Sequence, residues 1–158
     1  MVKRLFVFLV LSCLALAACG VATAHQATPV QQSPTSVAIV HVVRTSGIPR
    51  QNWPPLDRTI SVAAQAQRLY DATLALPMFP SGVMNCAADF GVGYTLTFTR
   101  NDKSHLTVTS DPGGCWQVTI EGQKQRRATD AWWNLFAQTL GLTRAQLQPI
   151  NLYPIGPS

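Results

Sequence analysis

Apolar and polar positions alternate most regularly in the middle of the chain. Val92, Tyr94, Leu96 and Phe98 take turns with Gly93, Thr95, Thr97 and Thr99, a period of two that predicts a half-buried strand. Asn101-Asp102-Lys103 turns the chain into His105–Ser110, where Leu106 and Val108 alternate with Thr107 and Thr109. Asp111-Pro112-Gly113-Gly114 turns it again into Cys115–Ile120, with Trp116, Val118 and Ile120 in the apolar phase. This is a three-stranded meander. One face is aromatic and aliphatic; the other carries Thr95, Thr97, Thr99, Thr107, Thr109, Gln117 and Thr119. The apolar face needs a cover.

Two helical patterns supply one. Val62, Ala66, Leu69, Thr73 and Leu76 recur at helical spacing between Ser61, a candidate N-cap, and Pro77, which stops the helix. Trp133, Phe136, Ala137 and Leu140 form the stripe of a second helix, widened by Trp132 and Leu135. It starts at Thr129 as cap, has Asp130 near its positive end and stops at Gly141. Upstream, Val37–Arg44 is β-branched in both phases, as in a central strand or one covered on both sides. Residues 45–59, with Gly47, Pro49, Pro54 and Pro55 around Trp53, predict a long irregular loop. Residues 143–147 add a short turn, and Pro149, Pro154 and Pro157 keep the tail from continuing it. The order β-α-β-β-β-α predicts a small single α+β domain over residues 37–158, with both helices on one face of an antiparallel sheet.

The start of the chain follows a different plan. Lys3 and Arg4 precede an apolar run from Leu5 to Ala18 that ends in small residues, the layout of an export signal. The run closes on Leu16-Ala17-Ala18-Cys19, which resembles the lipobox of bacterial lipoprotein precursors. That resemblance implies that residues 1–18 are a lipoprotein signal peptide and that Cys19 carries lipid. Residues 19–36, rich in Ala, Gln, Thr, Pro and Ser, then form a flexible tether to a cell membrane. Two alternatives are cleavage after Ala22-Thr23-Ala24, releasing a secreted protein that begins at His25, and an uncleaved span from Leu5 to Ala24. All three place the domain outside the cytoplasm.

Export decides what the cysteines do. Cys13 leaves with the signal and Cys19 is lipidated, so Cys86 and Cys115 remain to form a disulfide in an oxidising compartment. Charged residues make up only 12% of the chain, which argues against a nucleic-acid partner. Once Lys3 and Arg4 are gone, 10 basic residues face 7 acidic ones, and the net charge falls from +5 to +3. Lys124, Arg126 and Arg127 cluster, and read as a solvated strand or turn before they read as an anion site.

Catalytic signals are lacking. The chain has no GxSxG elbow, no Walker loop, no HExxH and no third glycine after Gly91 and Gly93, so no cofactor, metal or catalytic residue is assigned. Residues 85–140 resemble domains of uncharacterised exported bacterial proteins, a likeness that implies no activity. The element order is also similar to the secreted subtilisin-inhibitor architecture, without its cysteine placement or reactive loop. The expectation is a monomeric, non-catalytic binding module that meets a protein or small-molecule ligand through Asn52 and Trp53, or through Thr95, Thr97 and Thr107. A small hydrolase-like enzyme is the alternative if a cleft joins His41 or His105 to an aspartate. A protease inhibitor is the alternative if a rigid loop protrudes beside the Cys86 bridge.

Overall fold

The computed structural model describes residues 35–46, 53–86 and 91–147, all within the unit Gln32–Ser158. Cys19, Asn52 and the expected signal, and nearly all of the expected tether, lie outside the described residues. The strands are β1 (Val37–Ser46), β2 (Asp57–Ile60), β3 (Val92–Arg100), β4 (His105–Ser110), β5 (Gln117–Ile120) and β6 (Arg126–Arg127). The helices are α1 (Ala63–Leu74), α2 (Asp130–Leu140) and the single turn α3 (Arg144–Leu147). One sheet holds all six strands in the order β2-β1-β3-β4-β5-β6, each pair antiparallel. The protein is therefore the expected small α+β domain, with two strands more than its sequence pattern announces.

Register turns the alternation of single strands into two continuous faces. Val42 lies opposite Leu96, Leu96 opposite Val108 and Val108 opposite Ile120, so the apolar phases of four strands line up. All four residues are fully buried. Helix α1 covers this face through Tyr70, whose ring meets Phe98 edge-on at 5.3 Å. Helix α2 covers it through Phe136, which meets Tyr94 edge-on at 5.3 Å. Tyr94 and Phe98 share a phase of β3, so both helices sit on the same side. Trp132 stacks on Phe136 and donates its indole N–H to Thr73 Oγ1 at 2.9 Å, joining α2 to α1. Thr73 passes its own proton to Leu69 O at 2.7 Å, so this buried polar pair is satisfied within the core.

Local signals fix the ends of α2. Thr129 Oγ1 accepts from the Trp132 N–H at 3.2 Å, and Gly141 closes the helix at φ 63°, a left-handed conformation that suits glycine. Helix α1 departs from expectation. Val62, not Ser61, occupies its N-cap, with no side-chain hydrogen bond there, and the helix stops at Leu74. Its C-terminus has no basic residue of its own; Arg126 supplies one, donating from Nη1 to Leu74 O and Leu76 O, both at 2.8 Å. In the same manner Arg58 of β2 donates to Leu140 O at the end of α2.

Three other expectations change. Residues 45–59 are not one loop: β1 runs on to Ser46, and β2 closes the segment against Val40–Val43. The strand expected from Cys115 begins at Gln117, because Trp116 sits at φ 58° and breaks the extended run. Arg126 and Arg127 form a strand of their own, paired with Val118 and Gln117.

Candidate functional site

The face that the helices leave open is built from the other phase of the same strands. His41 lies opposite Thr97, and Thr97 opposite Thr107. In the next row Val43, Thr95, Thr109 and Thr119 follow one another across four strands. Beyond it come Thr45 opposite Gly93, and Gln117 opposite Arg127. Register thus gathers the expected Thr95, Thr97 and Thr107 onto one surface and adds Thr45 and Thr59, which lie on strand segments that the sequence pattern left as loop. These threonines are half-buried or exposed, and hydroxyls both donate and accept hydrogen bonds.

This surface is not uniform. Gly93 occupies a polar-phase position of β3 where every other such residue to Thr99 is threonine, and over it opens a hollow of about 320 Å³. Thr45, Thr95, Thr109, Asp111, Gln117 and Thr119 contribute to its walls. A Cβ there would stand 2.9 Å from Thr45 Oγ1, so any larger residue would make the exposed Thr45 side chain turn aside. Among the described residues no lysine, arginine or histidine lines the hollow. Its carboxylate, Asp111, accepts from the Gly113 N–H at 2.8 Å.

A second hollow, of about 230 Å³, lies beside the disulfide, with Asn85, Cys86, Cys115, Trp116 and Arg127 among its walls. Gln117 borders the first hollow and Arg127 the second, and the two residues are cross-strand partners. The Cys86–Cys115 disulfide is present, with Cα atoms 4.8 Å apart across a sequence separation of 29. Ahead of it Val83 is fully exposed and Gly82 has φ 114°, while the Phe79 N–H donates to Gln125 O at 2.9 Å and pins the near end of the segment.

His41 does meet an aspartate. Its Nε2 is 2.7 Å from Asp57 Oδ1 on the open face, with the two side chains 43% and 75% exposed. His105 Nδ1 instead lies 3.1 Å from Thr99 Oγ1. Trp53 is half-buried and packs against the core, so its ring covers apolar surface.

Most arginines are occupied as ties. Arg44 donates to Tyr94 Oη, Pro54 O and Gln146 O at 3.0, 2.8 and 2.6 Å. Tyr94 Oη donates onward to Leu147 O at 2.8 Å; burial raises its pKa above the ordinary phenol value, and Arg44 partly opposes the rise. Arg100 donates to Tyr70 Oη at 2.9 Å, and Arg144 pairs with Asp130 at 2.7 Å while lying over the Trp116 ring. The Lys124, Arg126 and Arg127 cluster is divided between the two faces of the sheet: Arg126 caps α1, and Arg127 shares the phase of Gln117.

Among the described residues no group of three or more His, Cys, Asp or Glu gathers as a metal site, and no helix is long and apolar enough to cross a membrane. Compared with protein-family models, with curated proteins and with solved structures, the chain matches none of them.

Proposed function

We propose that this chain is a lipid-anchored, extracytoplasmic binding module that holds its ligand on the helix-free face of the sheet. The observation that carries this reading is the asymmetry of that sheet. One face is closed by aromatic packing under two helices, whereas the other presents hydroxyls around a hollow that lies over Gly93. The disulfide supports the address, since such a bridge persists in oxidising compartments. Leu16-Ala17-Ala18-Cys19 supports the anchor.

The anchor is tested by expressing the full chain in a bacterial host beside Cys19→Ala, and measuring intact mass and detergent partitioning. Loss of residues 1–18 with gain of acyl mass, abolished in the variant, is the expected result. An unlipidated product beginning at His25 overturns it. The binding face is tested in the Cys19→Ala background by sedimentation with purified cell envelopes. Retention is expected, and so is its loss on Thr95→Arg with Thr109→Arg; retention unchanged by those two arginines removes the face from the reading.

Two observations favour other readings. The His41–Asp57 contact favours a hydrolase, in which the carboxylate would orient the imidazole beside Thr97. Ester hydrolysis that is absent, or that survives His41→Ala, excludes it. The exposed Val83 segment beside the Cys86 bridge favours a protease inhibitor. Subtilisin and chymotrypsin left fully active by an excess of the protein exclude that.

A further inference from the structure

We propose that the ligand of the helix-free face is a sugar chain bearing a carboxylate, with neutral hydroxyls in the hollow over Gly93 and the acid group at Arg127. This rests on the reading of that face as a binding surface, and deepens it by naming the ligand class.

The hollow over Gly93 sets the neutral part. Its volume of about 320 Å³ is at the small end of ligand sites, enough for a sugar unit rather than a folded partner. Thr45, Thr95, Thr109 and Thr119 bring hydroxyls and Gln117 an amide, groups that donate and accept. A ligand that likewise offers both at each position can satisfy such a wall, and a polyhydroxylated ring does so. An apolar ligand would strand the hydroxyls without partners, at the cost of their hydration. Among the described residues no cation meets an anion there.

Across the Gln117–Arg127 pair the electrostatics reverse. Arg127 is exposed and lines the second hollow with the Asn85 amide and Trp116. Its guanidinium offers paired N–H donors in the fork that a carboxylate accepts in bidentate fashion. The neighbouring arginine does not share this task, since Arg126 is turned to the helices and bonded to Leu74 O and Leu76 O. A neutral hollow with an acid at its rim, across a strand pair from a hollow walled by one arginine, gives the site a direction. The carboxylate end must lie toward the disulfide and the neutral end toward Asp111.

The test uses the full-length protein in detergent micelles, with oligogalacturonate as the acidic probe and maltohexaose as the neutral one, read by titration calorimetry. Oligogalacturonate is expected to bind about tenfold tighter, the scale of one charge-assisted hydrogen bond, and the preference should shrink as salt is added. Arg127→Gln should bring the two affinities together. Thr95→Val with Thr109→Val, which keeps side-chain shape and strand preference, should weaken both probes; near-UV circular dichroism of the tryptophans verifies that the fold is kept. No binding of either probe, equal binding of both, or a preference that survives Arg127→Gln overturns the proposal. Intact mass of the same preparation reports the lipid separately, so a lipidated protein that ignores both sugars refutes the ligand and leaves the anchor standing.

Discussion

The two faces of the sheet come from the same strands, yet they obey different rules. On the covered face each position is answerable to its neighbours: Tyr94 touches Trp133 and Phe136, and its hydroxyl joins Arg44 to Leu147. On the open face Thr95, Thr97 and Thr109 answer only to strand preference and to whatever meets them from outside. The contrast separates what the fold needs from what it leaves free. A glycine is the informative residue on the open face because strand preference disfavours it there, and only the Thr45 contact and the hollow account for it.

The sharpest way to break this division is to cut into the covered face. Phe136→Ala should cost about 3–5 kcal/mol in urea unfolding, since it opens a cavity among Tyr94, Trp132 and Trp133. A loss below about 1 kcal/mol would mean that the covered face is not the core. The disulfide comes next. Cys86→Ser with Cys115→Ser should cost about 3–4 kcal/mol in urea unfolding through the entropy of the freed loop. Arg126→Gln should cost about 2 kcal/mol, because two carbonyls at the end of α1 lose a charged donor; protection of the α1 amides from hydrogen exchange should fall first.

A smaller effect follows from pH. The folded-state pKa of Tyr94 is raised, so the folded protein holds this proton more tightly than the unfolded chain does. Stability from this group is full below the ordinary phenol value of 10.0 and is lost as pH climbs from there through the folded pKa. Unfolding measured from pH 9 to 12 should show that decline, and Tyr94→Phe should flatten it. Smallest of all, Thr97→Ala on the open face should change stability by about 0.5 kcal/mol or less. A cost like that of Phe136→Ala would erase the distinction between the faces.

What could be read from the sequence was whatever is written locally. The β3 and β4 alternation, the Thr129 cap and the Gly141 stop each lie within a few residues of the structure they specify. The disulfide followed from counting cysteines once Cys13 was assigned to the signal and Cys19 to the lipid. The misses are non-local. Strand β2 shows no apolar phase because three of its four residues are exposed, and it is a strand only because β1 offers it an edge. Two-residue β6 exists through its pairing with β5 and the anchoring of Arg126. Ser61 looked like a cap by type, but the helix begins one residue later. Of the site, the threonine face was legible and the hollow was not, since register places Thr45 beside Gly93 from 48 positions away. The available signal was Gly93 itself, an isolated glycine in an otherwise regular strand.

The position of β1 has a mechanical consequence. It is the first of the described strands, and it lies inside the sheet with β2 bonded along one edge and β3 along the other. A pull directed along β1 from its N-terminal end would load both ladders in shear. Bonds loaded in shear fail together rather than one by one as in peeling, so a force along that strand would be met by two neighbours instead of one.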